Sequence, residues 1–194
     1  MTVPDSSKAR RLSVHTVESA PEGSRAQLEA VQKRNGGYLP NLLGVLSNSP
    51  TVLESYLTLS KLNGKTSLTP DEREVVQLMA ATTHGCSFCV AGHTLTAQKT
   101  TKLSAEDIEA LRGHKTLQDS KLAALASYTS AVIANRGAVS DEELQAFFDA
   151  GYDQAQALEV VLGVGLATIC NFGNNVAQTT LNPELEPYRW DGLS

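Results

Sequence analysis

The chain has 194 residues and a formal net charge of −5 at pH 7, with 41% hydrophobic and 19% charged residues. This length suits one domain with a sizeable core, and a composition rich in leucine and alanine favours helices. The acidic balance argues against nucleic acid as a partner, because binding to phosphates requires a concentrated positive surface.

The distribution of apolar residues predicts no membrane association. No apolar run approaches the ~18 residues of a membrane span, and the first residues lack the hydrophobic segment of a secretory signal. The three cysteines, two of them in a C-x-x-C pair, are not the framework of a secreted disulfide protein. We therefore expect a cytoplasmic protein, in which such a pair is catalytic or metal-binding.

In chain order, residues 1–20 lack apolar periodicity and are predicted to form a flexible N-terminal arm, and residues 21–194 a single helical domain. Three helices are predicted between residues 22 and 63, separated by Asn-Gly-Gly and Asn-Ser-Pro. The clearest start follows. Thr69 is a suitable N-cap, Pro70 suits the first helical position, and Glu72 completes a capping box. A helix is therefore predicted from Pro70 to about Thr83.

Five further helices are predicted after the break at Gly85. They run from the C-x-x-C pair to about Lys99, from Ser104 to Gly113, from Ser120 to Asn135, from Ser140 to Gly151, and from Gln154 to about Thr179. The last of these is apolar on nearly every side, which predicts a central position, and an irregular tail is predicted beyond it. The β-branched residues recur at helical spacing, so the predicted fold class is all-α.

A weak internal similarity suggests a helical repeat. Glu74-Val75-Val76 aligns with Glu159-Val160-Val161, and the same offset places Cys86 on Asn171 and Cys89 on Asn174. Duplication and chance both account for these few matches. Asn171, Asn174 and Asn175 are unusual on a core helix, because each buried amide needs partners, and we expect them to bridge helices or to line a pocket.

The candidate chemistry lies between Glu74 and His93. If a helix begins at Ser87, Cys86, Cys89 and His93 fall within an arc of roughly 60°, so two thiols and an imidazole share one face. The helix N-terminus favours a thiolate at Cys86, whereas His93 one turn downstream favours one at Cys89. The pair is spaced for reversible formation of a disulfide, with a base close by.

Two other interpretations of these residues remain. His84, Cys86, Cys89 and His93 are four zinc-type ligands in a short span, although a continuous helix would struggle to bring His84 to the same tetrahedral centre. The two cysteines could also be small buried hydrophobes, which is the interpretation that we favour for Cys170 on the apolar last helix.

The spacing of Glu74, Cys86, Cys89 and His93 resembles the E…C-x-x-C-x-x-x-H pattern of the alkylhydroperoxidase D (AhpD)-like branch of the carboxymuconolactone decarboxylase family. The resemblance implies a compact all-helical fold, often with a tandem repeat, that assembles into a homo-oligomer, a trimer or a hexamer. It also implies that Cys89 meets peroxide, that Cys86 is its disulfide partner, and that His93 is the base of a proton relay oriented by Glu74. Phe88 departs from the best known members, which have a histidine there.

The leading hypothesis is a thiol-dependent peroxidase or disulfide oxidoreductase that reduces hydroperoxides in antioxidant defence. It requires no metal or other cofactor. The resemblance implies a lipoyl-type or other dithiol protein as the reductant, with a peroxiredoxin as a further partner. Two alternatives are a redox-sensing or partner-binding protein without sustained turnover, and a decarboxylase-like enzyme acting on a lactone. The second is disfavoured because that branch of the family does not depend on paired cysteines.

Overall fold

The computed structural model describes residues 11–193, in which nine α-helices and one short 3₁₀ helix are formed and no β-strand occurs. The α-helices are α1 (Glu22–Arg34), α2 (Asn41–Leu46), α3 (Pro50–Asn63), α4 (Pro70–Thr83), α5 (Ser87–Thr100), α6 (Ala105–Arg112), α7 (Ser120–Ala134), α8 (Asp141–Asp149) and α9 (Gln154–Ala177). The all-α prediction is confirmed. The tail that was predicted to be irregular contains the 3₁₀ helix, Pro183–Tyr188.

Side-chain caps explain why the first residues of these helices can be predicted from the sequence. At the start of α4, Thr69 Oγ1 accepts the Glu72 N–H over 3.2 Å, and Glu72 Oε2 accepts the Thr69 N–H over 2.7 Å. The same reciprocal arrangement begins α6, α8 and α9. Each such box satisfies two backbone donors that a helix start otherwise leaves free.

The centre of the domain is α4, which packs against α5, α6, α7 and α9 and is continuously buried from Val75 to Thr82. The prediction that α9 is central is therefore only partly right. It contacts α2, α3, α4, α5 and α7, but Leu158 on its outer side is 72% exposed. Among the described helices, α9 alone has the length and mean hydropathy, 1.5, to cross a membrane, which core helices also reach.

The approach of α9 to α4 depends on one glycine. A Cβ at Gly163 would lie 2.9 Å from Val76 Cγ1, and Gln77 Nε2 donates to the Gly163 carbonyl over 3.0 Å. A Cβ at Gly165, by contrast, would face open space. The contact at Gly163 holds the two helices close together, and both also pack against α5, the helix of the cysteine pair.

Residues 11–20 lie along α2. The His15 N–H donates to the Gly44 carbonyl over 3.1 Å, Asn48 Nδ2 donates to the Ser13 carbonyl over 2.7 Å, and Ala20 is buried. This part of the predicted arm therefore contacts the domain, and the remainder of the arm, residues 1–10, lies outside the described residues.

The two halves of the suggested repeat differ in one respect. Gly85 separates α4 from α5, whereas α9 is one continuous helix across the aligned positions. The break that creates the N-terminus of α5 therefore has no counterpart in α9.

Candidate active site

The turn between α4 and α5 sets the position of the cysteine pair. Gly85 has a φ of +65°, a left-handed conformation that glycine adopts without the steric cost that a Cβ brings. The chain reverses there, and Cys86 becomes the N-cap residue of α5. The sulfur of Cys86 therefore lies at the positive end of a new helix, as the sequence predicts.

The two thiols are in contact with one another through the first turn of α5. Cys86 Sγ accepts the Cys89 N–H over 3.4 Å, the role that a serine or aspartate oxygen plays in most caps. Both side chains are buried, with 1% of Cys86 and 4% of Cys89 exposed, and both are free thiols. They are therefore close, shielded from bulk water and spaced along a single turn.

The surroundings shift the pKa values of the two thiols in opposite directions. The hydrogen bond from the Cys89 thiol lowers the pKa of Cys86. The Cys89 N–H, the Asn174 amide and the charge on His93 also lower it, whereas burial raises it. The hydrogen bond to Cys86 and burial raise the pKa of Cys89 well above its usual value. A thiolate therefore forms more readily at Cys86 than at Cys89, which agrees with the helix-terminus argument rather than with the spacing to His93.

Glu74 and His93 form an ion pair beside the thiols. His93 Nδ1 donates to Glu74 Oε2 over 2.8 Å, and the side chains are 29% and 13% exposed. Burial opposes the charge on His93, but the Glu74 carboxylate and the Cys86 sulfur outweigh it and raise the pKa of His93. The four predicted site residues are thus brought together, and the carboxylate favours the protonated form of the imidazole.

Three asparagines of α9 complete the site, and the candidate catalytic residues named from the sequence did not include them. Asn174 Nδ2 donates to Cys89 Sγ over 3.2 Å. Asn171 Oδ1 accepts from His84 Nδ1 over 2.9 Å, and Asn175 Nδ2 donates to the His84 carbonyl over 2.9 Å. Their signal in the sequence was the presence of amides on an apolar helix, since each buried amide must have partners.

Two cavities reach the cysteine pair from different sides. The apolar cavity, of about 230 Å³, has Cys89 and His93 in its wall together with Leu42, Tyr56, Leu95 and Leu185. The polar groove, of about 370 Å³, has Cys86 in its wall together with Ser87, Asn174, Asn175, Gln178 and Thr179. The Phe88 ring belongs to both walls.

Cys170 also lies in the wall of the apolar cavity. Only 6% of the residue is exposed, and its thiol donates to the Leu166 carbonyl over 3.3 Å. Burial raises the pKa of Cys170 to about 12, so it is a protonated thiol at neutral pH.

The residues of the alternative zinc site point to different partners. The His84 ring bonds to Asn171, whereas the His93 ring bonds to Glu74. Over residues 11–193, no three histidine, cysteine or acidic side chains are grouped so that they could hold a metal ion.

One known family matches part of the chain. Residues 50–129 match the sequence model of the carboxymuconolactone decarboxylase family, a region that runs from α3 into α7 and includes all four predicted site residues. The match covers the part of the chain that contains the candidate site, and the whole chain has the fold of the AhpD core, as the sequence predicted. No curated protein sequence matches the chain.

Solved structures with the same fold support this assignment. The AhpD core of a peroxidase-related protein from Ralstonia eutropha JMP134 gives a TM-score of 0.75 at 18% identity, over 90% of this chain and 93% of that one. A peroxidase-related protein from Silicibacter sp. TM1040 gives 0.74 at 14% identity, over 93% and 97%.

A third similar structure has a different named activity. The debrominase Bmp8 gives a TM-score of 0.69 at 16% identity, over 87% of this chain and 92% of its own. A cysteine-to-alanine variant of that protein has been crystallised with 2,3,4-tribromopyrrole. At these identities the likeness establishes the fold, which therefore serves more than one chemistry.

Proposed function

We propose that this protein is a thiol-dependent peroxidase that reduces organic hydroperoxides through a Cys86–Cys89 disulfide. The observation that carries the proposal is the cysteine pair, joined by the bond from the Cys89 N–H to Cys86 Sγ, beside the Glu74–His93 pair at the wall of an apolar cavity. A hydroperoxide needs a thiolate to attack its distal oxygen and an acid to protonate the alkoxide that leaves. Both groups are present on α5, one helical turn apart.

The reaction begins with a proton transfer inside the pair. The Cys86 thiolate accepts the proton of the Cys89 thiol, along the hydrogen bond that joins them, and Cys89 becomes the nucleophile facing the apolar cavity. Cys89 attacks the distal oxygen, the O–O bond breaks, and His93 protonates the leaving alkoxide. Cys89 is then a sulfenic acid, and the product is an alcohol.

The second half of the reaction forms the disulfide. Cys86 attacks the Cys89 sulfur, its proton passes through His93 to the departing hydroxide, and water leaves. One hydroperoxide and two thiols thus give one alcohol, one water and one disulfide. A dithiol protein is the proposed reductant that returns the pair to two thiols, and Glu74 holds the His93 ring in place through both steps.

The proposal is tested by peroxide turnover. Purified protein is supplied with cumene hydroperoxide and dihydrolipoamide, and peroxide loss is followed for the wild type and for Cys86→Ser and Cys89→Ser. Both variants should lose turnover, and thiol titration of the wild type should find two thiols lost per peroxide. A double variant that is as active as the wild type would contradict the proposal. A wild type that reacts once and stops would favour the redox-sensor alternative.

A second candidate is reductive dehalogenation, which is favoured by the likeness to the debrominase and by the two tyrosine rings, Tyr38 and Tyr56, at the apolar cavity. The same cysteine pair would supply two electrons, converting an aryl bromide and two thiols to an arene, bromide, a proton and a disulfide. Release of bromide from 2,3,4-tribromopyrrole without peroxide turnover would select this activity.

We also propose that copies of the chain associate through the outer side of α9. Four large apolar side chains lie there within an arc of about 60°: Leu158, Val161, Phe172 and Val176, which are 72%, 45%, 51% and 55% exposed. An apolar stripe of this length is unusual on a monomer, which favours its burial against another copy of the chain.

Light scattering during size-exclusion chromatography tests this association. The wild type should elute as an oligomer, a trimer or a hexamer, and Leu158→Glu should elute as a smaller species. The matched control is Leu62→Glu, at an exposed leucine of α3, which should leave the mass unchanged. A monomeric wild type would contradict the proposal.

A further inference from the structure

We propose that the C-terminal tail, residues 180–190, is the part of the cavity wall that limits the size of the substrate, and that Leu185 is the side chain that contacts it. This inference rests on the proposed peroxidase cycle and adds to it the residue that determines which organic hydroperoxides reach Cys89.

The tail places one leucine beside the reacting cysteine. Its 3₁₀ helix, Pro183–Tyr188, packs against α5, the helix of the cysteine pair. Leu185 is 4% exposed and lies in the wall of the apolar cavity together with Cys89 and His93. The tail therefore contributes a large apolar side chain to the space in which the proposed substrate reacts.

The start of the tail is bonded to a segment that also borders the cavity. Asn182 Oδ1 accepts the Asn41 N–H over 2.8 Å, and Asn182 Nδ2 donates to the Leu39 carbonyl over 3.2 Å. Asn41 Nδ2 donates in return to the Thr180 carbonyl over 3.0 Å. Pro40, between the two bonded residues of that segment, lies in the cavity wall. These hydrogen bonds therefore join two parts of the wall.

The end of the tail is held by Arg112 of α6. Arg112 Nη1 donates to the Tyr188 carbonyl over 3.1 Å, and Nη2 donates to the Arg189 carbonyl over 3.0 Å. Trp190 Nε1 donates to the Arg112 carbonyl over 3.1 Å. Leu185 lies between the two sets of hydrogen bonds, so a substrate that displaces it must break some of them.

The small volume of the cavity makes a wall residue decisive. About 230 Å³ lies below the range of small-ligand pockets, ~300–1,000 Å³. At the limit of such a pocket, one extra methylene changes kcat/KM by about 10–200-fold. Cumene hydroperoxide is a compact substrate, and diisopropylbenzene monohydroperoxide is the same molecule with an isopropyl group added to the ring. Leu185→Ala removes an isopropyl group from the wall, so it should make room for the one that the larger substrate adds.

The first experiment compares these two hydroperoxides, with tert-butyl hydroperoxide as the small reference. The meta and para isomers of the larger substrate are assayed separately, because they carry the added group at different angles to the O–O bond. The wild type should prefer cumene hydroperoxide to both isomers by about tenfold or more in kcat/KM, and Leu185→Ala should bring at least one isomer within about threefold. Equal values in the wild type, or an unchanged preference for both isomers in Leu185→Ala, would overturn the proposal.

Three further variants separate the size of the side chain from a loss of packing. Leu185→Met keeps the volume and should keep the wild-type preference. Leu185→Phe enlarges the side chain and should lower turnover of cumene hydroperoxide relative to tert-butyl hydroperoxide. Leu117→Ala is the matched control, because Leu117 is also 4% exposed and lies outside the cavity wall. A change of preference in Leu117→Ala as large as that in Leu185→Ala would overturn the proposal.

Arg112 is a positioning residue in this proposal, and its variant is assayed with the same substrates. Arg112→Lys keeps the charge but loses the planar fork that reaches two carbonyls. It should reduce the size preference although Leu185 is intact. Arg189→Lys is the control, because its guanidinium bonds to the exposed Glu186 of the tail itself. A wild-type preference in Arg112→Lys would overturn the positioning role.

A measurement without peroxide keeps the inference separate from the proposed function. In a Cys86→Ser background, Cys89 is alkylated with benzyl bromide or 4-isopropylbenzyl bromide, and peptide mass spectrometry follows its modification. Each rate is divided by the rate of the same reagent with glutathione. Adding Leu185→Ala should raise the ratio of the larger reagent to the smaller one by about tenfold. Such a rise in a protein that reduces no peroxide would retract the peroxidase alone. An unchanged ratio in a protein that reduces peroxide would retract the role of the tail alone.

Discussion

The imidazole of His93 and the carboxylate of Glu74 join α5 to α4 through one hydrogen bond of 2.8 Å. The two residues are 19 positions apart in sequence, and the turn at Gly85 folds their helices against each other so that they meet beside the thiols. This pair determines the protonation state of the site, and the first prediction concerns it.

Glu74→Gln should lower the pKa of His93, because burial opposes the imidazolium charge and the carboxylate that overcomes it is lost. The raised pKa of the wild type stabilises the fold below the unfolded value, about 6.5, and this contribution disappears as pH rises through the folded value. The variant should therefore lose about 1.5–3 kcal/mol in acid and less in base, measured by urea unfolding at about pH 5.5 and about pH 9.

Glu109→Gln is the control for that comparison. Glu109 is 70% exposed and pairs with Arg112, whose charge does not change over this range. Its effect on stability should be at most about 1 kcal/mol and the same at both pH values. A loss that is independent of pH in Glu74→Gln would contradict the assignment of a protonated His93.

Because each thiol alters the pKa of the other, removing one of them should shift the pKa of the remaining thiol, and the two variants should shift in opposite directions. Cys89→Ala should raise the pKa of Cys86, because the largest stabilising hydrogen bond is lost. Cys86→Ala should lower the pKa of Cys89 for the converse reason. Ultraviolet absorbance of the thiolate, followed during a pH titration, measures both. Cys170 stays protonated throughout, because its pKa is about 12. Shifts of the same sign in the two variants would contradict the division.

The close approach of α9 to α4 predicts that two glycines two positions apart respond in opposite directions. Gly163→Ala should destabilise the protein by about 1–3 kcal/mol, because its Cβ would meet Val76 at 2.9 Å. Gly165→Ala should stabilise it by about 0.5–1 kcal/mol, because alanine favours the helix and the new Cβ meets nothing. Urea unfolding of the two variants measures both. Equal effects would contradict the packing described here.

Thr179→Val should raise the free energy of unfolding of the ligand-free protein by about 1 kcal/mol. The hydroxyl is buried without a partner, and valine of the same shape removes that cost. Thermal unfolding measures the change. A less stable variant would contradict the absence of a partner.

The helix limits could be predicted because the contacts that set them join residues close together in the sequence. Thr69 and Glu72, for example, form their box within three residues, whatever the rest of the chain does. The four predicted site residues could also be recognised in the sequence, because three of them lie close together at the start of α5. Glu74 is the exception, since only the spacing of a known pattern, and no local chemistry, connects it to His93.

What the sequence could not predict depends on packing between distant segments. Asn174 reaches Cys89 from 85 positions away, and no periodicity specifies such a contact. The division between an apolar cavity and a polar groove likewise arises only when α9 lies against α5. The exposed side of α9 was missed for the same reason, since an apolar helix is compatible with a central position and with a surface that meets another copy.

The sulfur of Cys86 also caps the start of a helix, since it accepts the Cys89 N–H, one of the free amides in the first turn of α5. A sulfur in a disulfide carries no charge and is a much poorer acceptor. Each oxidation should therefore loosen the opening turn of α5, and each reduction should tighten it again. Deuterium uptake at the Cys89 amide would then report the redox state of the protein directly.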